Sequence, residues 1–314
     1  MKFGIQVNVY GVTWDEIARS INAMEAGPWH SLWFADHFFP PWGGPKGQRS
    51  SEHLPAFEGY TMAAVAAGMT SKLRLGHLVL GNTYRNPALL AKMATSLDQA
   101  SKGRFTLSLG AAWCEREHYG FGWKFPTMRE RSDRFEEACK LIRTLFTTEG
   151  PIDFRGRYYW ADQLQMSPGC YQKPHIPILV GGTGERRTLR TLAKYGDMLN
   201  LDGWAGQGVS LEMFRHKVSV LERHCERVGR DPAEIRRTIL MPIVVGDDAA
   251  AEKAGADLTR RLGEGTMVGS RQQVVDRIGV LIEEGVDEIM FGNIPTGNVE
   301  EIQRIEQEVV AAFD

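Results

Sequence analysis

Ile178-Leu-Val-Gly-Gly-Thr-Gly-Glu-Arg-Arg187 is the stretch whose reading decides the fold. Its aliphatic start reads as a buried strand, its glycines as a tight turn, and the residues after Gly184 as a helix. The same unit recurs on both sides. Further strands are expected at 2–9, 31–35, 73–80, 104–109, 197–201, 237–245 and 288–291. Helices fall between them. The first is capped by Thr13 with Glu16 three residues on, a capping box, and buries Ile17, Ile21 and Met24 at helical spacing. Others are expected at 58–69, from Pro87, at 128–146, after Gly184, from Ser210, as two helices broken at 263–269, and at 299–313. Eight strand–helix units in alternation predict an α/β fold, a (β/α)8 TIM barrel, with an open doubly wound sheet as the alternative. Residues 150–177 break the rhythm with Tyr158, Tyr159, Trp160 and several turn formers. They read as an insertion after helix four, carrying a small hairpin, within a single domain spanning 1–314.

Composition narrows the function. The chain has 314 residues, 43% hydrophobic and 24% charged, with a formal net charge of −2. No basic excess points to nucleic acid, and no apolar run of about 18 residues is present to span a membrane. The opening residues lack the basic and apolar regions of a signal peptide. Cys114, Cys139, Cys170 and Cys225 show neither C-x-x-C nor metal-ligand spacing. They read as reduced thiols of a cytoplasmic protein.

In such a barrel the chemistry lies where the strands end. Those positions hold Asn8, Asp36–His37, Gly81–Asn82–Thr83, Gly110 to Trp113, Gly181 to Gly184, Leu201 to Gly203 and Gly292–Asn293. Small and amide residues dominate, which suits a flat ring with hydrogen-bonding edges better than hydrolysis or Schiff-base chemistry. His37 is the catalytic candidate, able to contact a ring or move a proton near neutral pH. Asp36 reads as a neighbour that orients the loop. The turn Gly181-Gly-Thr-Gly184 offers amide N–H groups at a helix start for a phosphate, although glycine turns also end strands for steric reasons alone. Arg186 or Arg187 would assist there or would be solvated. His77 reads as structural. Glu115, Glu117 and His118 read as a solvated helical turn, and no metal site is expected, since H-x-H on strand one and H-E-x-x-H are both missing. A long aromatic loop from Phe38 to about Pro55 and the tryptophans Trp42, Trp113 and Trp204 are expected near a ligand, with Trp42 and Trp204 on the substrate side.

Four strings, Leu32-Trp-Phe-Ala-Asp-His-Phe38, Leu75-Gly-His-Leu-Val-Leu-Gly-Asn-Thr-Tyr-Arg-Asn-Pro87, Gly103-Arg-Phe-Thr-Leu-Ser-Leu-Gly110 and Pro177-Ile-Leu-Val-Gly-Gly182, resemble the bacterial luciferase-like monooxygenase superfamily, and within it the branch that uses coenzyme F420, a deazaflavin. The resemblance implies an oxidoreductase that transfers a hydride between F420 and a small organic substrate. The alternatives are a reduced-FMN monooxygenase using O2 and a non-catalytic flavin-binding subunit. It further implies a homodimer and a non-prolyl cis peptide at the end of strand three, by position at Gly81–Asn82. The cofactor ring would meet Asp36, His37, Gly81, Asn82, Thr83, Gly110 and Trp113, and its phosphate would meet Gly181, Gly182, Thr183 and Gly184. Sugar-phosphate dehydrogenases of this superfamily carry a glutamate where Trp113 stands here, which argues against a hexose phosphate.

Overall fold

A computed structural model describes residues 1–41, 54–204 and 208–313. Its elements run β1 (Lys2–Val7), α1 (Trp14–Ala26), β2 (Ser31–Phe34), α2 (Gly59–Met69), β3 (Arg74–His77), β4 (Leu80–Gly81), α3 (Pro87–Ala100), β5 (Leu107–Gly110), α4 (Glu115–Gly120), α5 (Met128–Thr147), β6 (Ile152–Arg155) and β7 (Trp160–Leu164). The second half runs β8 (Ile178–Gly181), α6 (Thr188–Tyr195), β9 (Met198–Asp202), α7 (Leu211–Val228), β10 (Arg236–Met241), β11 (Ile243–Val245), α8 (Ala249–Leu262), β12 (Met267–Gly269), α9 (Arg271–Glu283), β13 (Glu288–Phe291) and α10 (Val299–Glu308).

All pairings of the main sheet are parallel, in the order β3-β2-β1-β13-β10-β9-β8-β5-β4. β3 and β4 are two halves of one stave, separated by a cis peptide at Leu78–Val79. The upper half pairs with β5 through Leu80–Leu109 and Gly81–Gly110, and the lower half bridges Leu75 to Phe105. The ring therefore closes with eight staves, the TIM barrel expected rather than an open sheet.

The staves are buried on both faces, as parallel strands packed under helices must be. Outward residues such as Ile5, Leu32, Leu75, Leu107, Val180 and Ile289 join Ile17, Ile21, Leu90 and Leu192 of the helices in one core. Inward residues form a second, smaller core of Trp33, Leu179, Met198, Leu240 and Met290, with Leu78, Val79 and Trp204 packed above. Trp33 is the largest of these, and Gly76 makes room for it. A Cβ on Gly76 would lie 2.7 Å from Trp33 Cε3 and closer still to Cζ3. The capping box at Thr13–Glu16 forms as expected.

Two local readings change. The stretch 237–245 is not one strand. Pro242 has no N–H to donate, so barrel pairing stops at Met241. β11 instead pairs with β12 in a separate two-stranded parallel sheet, and the carbonyl of Pro242 accepts from Met267 N at 2.8 Å. The interval 263–269, read as a helix break, thus contains a strand. The helix expected after Gly184 begins at Thr188. The hairpin expected within 150–177 is present as antiparallel β6 and β7. Among the described residues no helix is long and apolar enough to cross a membrane.

Replacing Gly76 by Ala should overpack the barrel against Trp33 and lower unfolding free energy by about 1–3 kcal/mol in urea melts. The same change at Gly279, where the added methyl meets only open space, should be neutral or mildly stabilising, because Ala loses less backbone freedom in a helix.

Candidate active site

The expected strand-end residues gather at one end of the barrel. The inward position at the end of three staves is glycine: Gly110, Gly181 and Gly292. Above Gly110 and Gly181 lies Val79, whose methyls would sit 2.8 and 2.7 Å from a Cβ at either position. Gln6 Nε2 donates to the carbonyl of Leu78 at 3.2 Å. The cis peptide is thus at Leu78–Val79 and not at Gly81–Asn82 as the resemblance implied. Leu80 and Gly81 must already be extended to pair with β5, so the irregularity precedes them.

His37 follows β2 and is mostly buried, with 17% of its side chain exposed. Its Nδ1 lies 2.9 Å from Glu117 Oε2. Glu117, expected on a solvated turn, is fully buried. The same Oε2 accepts from Tyr84 OH at 2.6 Å, and Oε1 accepts from the amides of Phe38 at 2.5 Å and Phe39 at 3.3 Å. His118 is also buried, with Nε2 2.7 Å from Thr83 Oγ1 and Nδ1 2.7 Å from the Cys114 carbonyl. Cys114, Glu117 and His118 share a face at i, i+3 and i+4. That spacing was visible in the sequence and marks an inward face, as Glu115 on the other side stays exposed. Burial pulls the His37 imidazole toward its neutral form. Contacts with Cys114 and Glu117 and the Glu117 charge outweigh it, raising the pKa to about 9. Burial raises the Glu117 carboxyl in turn, but the bonds and charge of His37 and the bonds from Tyr84 and Phe38 hold it below the usual range. Cys114, His37 and Glu117 offer S, N and O atoms within 4.8 Å of one another. Both Glu117 oxygens are already committed to donors, so the cluster is a proton-holding pair beside a thiol rather than an open ligand set.

Asp36 is buried and forked to Arg85, Oδ2 to Nη1 and Oδ1 to Nη2 each at 2.8 Å, while Oδ2 also accepts from Gly81 N at 2.8 Å. Arg85 is bonded to Glu58 as well. Asp36 therefore ties stave two to the loop after stave three and presents no spare oxygen. Asn82 is buried, its backbone N–H donates to Gly110 O at 2.9 Å, and its side-chain Nδ2 donates to Tyr159 OH of the hairpin at 3.4 Å. Trp113 is exposed and meets the His37 ring edge-on, with centroids 5.2 Å apart. Trp204 lies in the mouth, its Nε1 2.7 Å from where a Gly292 Cβ would be. Trp42 falls outside the described residues.

At the turn after β8, Gly182 has φ +116°, a region that favours glycine. No backbone carbonyl among the described residues accepts from the amides of Gly182, Thr183 or Gly184. These donors stand on the same end of the barrel as His37. Small residues at the stave ends and unpaired amides fit a flat ring carrying a phosphate tail. Arg187 is committed to Asp133, whereas Arg186 is exposed.

One strand-end carboxylate escaped selection in the sequence. Asp202 closes β9, its Oδ1 accepting from Trp204 N at 2.8 Å. Burial raises its pKa to about 6, against the Trp204 hydrogen bond and the His37 charge, which lower it.

The closed barrel thus gathers a buried histidine–glutamate pair and a glycine turn at one mouth. The luciferase-like monooxygenase family model matches residues 2–261, and the chain belongs to that family. An F420-dependent hydroxymycolic acid dehydrogenase of Mycobacterium tuberculosis is 32% identical over 78% of this chain, and the chain spans 63% of that relative's length. An FMNH2-dependent dimethylsulfone monooxygenase of Pseudomonas putida is 25% identical, covering 75% of this chain and 73% of the relative. The fold matches the monooxygenase RslO1 of Streptomyces bottropensis over 100% of both chains, with TM-score 0.79 at 19% identity. The two sequence relatives are thus described as dependent on F420 and on FMNH2, respectively.

Because folding raises the His37 pKa from an ordinary 6.5, its contribution to stability is complete below pH 6.5 and lost as pH rises through about 9. Unfolding free energy should fall across that window with a slope of up to about 1.4 kcal/mol per pH unit from this group. Glu117→Gln should reduce the slope, and the His37 ring resonances should then titrate at lower pH by NMR.

Proposed function

We propose that this protein transfers a hydride between coenzyme F420 and a small organic substrate at the mouth containing His37. The supporting observation is the turn Gly182–Gly184, whose amides have no backbone partner among the described residues and lie at the same end of the barrel as the His37–Glu117 pair. A bound flavin-type ring supplies the two-electron chemistry. The chain would hold the ring against Val79, with Gly110 and Gly181 keeping that floor low, and would take the phosphate on Gly182, Thr183 and Gly184. His37 keeps a proton at neutral pH, so it serves as a hydrogen-bond donor or an acid. Trp113 and Trp204 border the space, and the apolar floor of Leu78, Val79 and Trp204 excludes water. On this reading residues 1–314 form one domain with 150–177 as its insertion, acting as a cytoplasmic homodimer.

The FMNH2-dependent relative supports a second reading, a reduced-FMN monooxygenase. Purified protein titrated anaerobically with F420 and with FMN separates the two. The first reading expects at least about tenfold tighter F420 binding, a difference of about 1.4 kcal/mol. Tighter FMN with substrate-dependent O2 uptake would overturn it, and binding without turnover under any reductant would indicate a non-catalytic subunit.

Two substitutions test the residue roles. Thr183→Glu puts an anion beside the free amides and should weaken FMN by at least about tenfold, while riboflavin, which lacks the phosphate, changes little. His37→Ala should cut turnover by about 10²–10⁴ with the circular dichroism spectrum unchanged. Near wild-type rates would remove His37 from the mechanism.

A further inference from the structure

The strand-end ionisable groups of the mouth divide into three states. Asp36 is consumed by Arg85 and Gly81. His37 is held protonated by Glu117. Asp202 is the one whose carboxyl faces the mouth with a single described partner, Trp204 N. Along β9 the side chains alternate, and Met198, which belongs to the inner core, fixes Asn200 and Asp202 on the inward face. Staves two and six are four apart in a ring of eight, so His37 and Asp202 stand on opposite sides of the opening. The His37 charge favours the ionised form of Asp202, against the burial that disfavours it. The staves flanking Asp202 end in Gly181 and Met241, and the inward residues nearest it there, Gly181 and Leu240, carry no charge.

We propose that Asp202 is the substrate anchor of this site, and that the substrate presents to it a hydrogen-bond donor, a hydroxyl or an amine, rather than a carboxylate or phosphate. The proposal rests on the mouth being the reaction site and deepens the reading above by naming a substrate class. The chemistry follows from the inventory of groups. A protonated imidazole can only donate, so a substrate acceptor such as a carbonyl oxygen is served from the His37 side. A carboxylate can only accept, so the opposite wall needs a donor. An anionic group there would meet like charge in a poorly hydrated space, where repulsion is strong. A cationic or hydroxyl group instead restores the solvation that Asp202 lost. Asp202 changes charge near pH 6, while His37 remains charged to about pH 9. Between pH 5 and 8 Asp202 is therefore the one of these two that switches.

The test uses cofactor-free full-length protein, so it does not depend on which cofactor binds. The reporter is the backbone amide of Trp204, bonded directly to Asp202, followed by ¹⁵N NMR. In wild type this resonance should titrate with a midpoint near 6, and in Asp202→Asn it should be flat. Three probes share one ring: cyclohexylamine, cyclohexanol and cyclohexanecarboxylate. The amine, charged throughout, should bind about tenfold more tightly at pH 8 than at pH 5, following the ionised fraction of a group with that midpoint. The carboxylate should bind most weakly at pH 8. Asp202→Asn keeps an oxygen for the Trp204 amide, so it should fold, and it should abolish the pH dependence for the amine. The proposal is overturned if the amine's gain survives in Asp202→Asn, or if the carboxylate binds at pH 8 as tightly as the amine. Failure of the F420 titration with these results intact would remove the cofactor assignment and leave the anchor standing.

Discussion

A fully buried carboxylate that must be satisfied organises the upper half of this molecule. Glu117 collects donors from His37, Tyr84, Phe38 and Phe39. Leaving such a group without partners would cost several kcal/mol, so each donor is held where the carboxylate needs it. That requirement pins the segment after stave four to the residues after staves two and three. It orients the His37 ring and lets Phe38 pack on Tyr84, Phe121 and Trp123 at centroid distances of 4.7–5.8 Å. The cap over this side of the barrel is thus built outward from one charge.

The other carboxylates of the same end show how environment assigns different work to one functional group. Asp36 has an arginine fork and a backbone amide, so its charge is neutralised and its role is to brace the loop after stave three. Asp202 has a single backbone donor and a distant imidazolium, so burial dominates and its proton affinity rises. Two ionisable groups pushed in useful directions, a histidine that keeps its proton and an aspartate that releases its own near pH 6, stand on opposite sides of one barrel mouth.

Much of the fold was legible because periodicity is a local property. The inward and outward faces of α1, the stave at Ile178–Gly181 and the hairpin in the insertion follow from residues near one another in sequence. The failures share a cause. Residues 239–245 are apolar throughout, and only the absence of a donor at Pro242 divides the stretch 237–245 between the barrel and a second small sheet. The cis peptide was placed three residues late, because where stave three resumes depends on register with Leu109 and Gly110, residues of a different strand.

The site divides in the same way. The sequence by itself determined that the strand ends carry a histidine, small residues and a glycine turn, since these positions follow from alternation alone, and its motifs pointed to the family whose model matches residues 2–261. It could not determine the charge on His37, because that depends on Glu117, eighty residues away in sequence and read as solvated. Nor could it tell Asp36 from Asp202, since both are strand-end aspartates. Only the tertiary structure decides which carboxylate meets an arginine and which is left facing the mouth, because proton affinity is set by the neighbours that folding supplies.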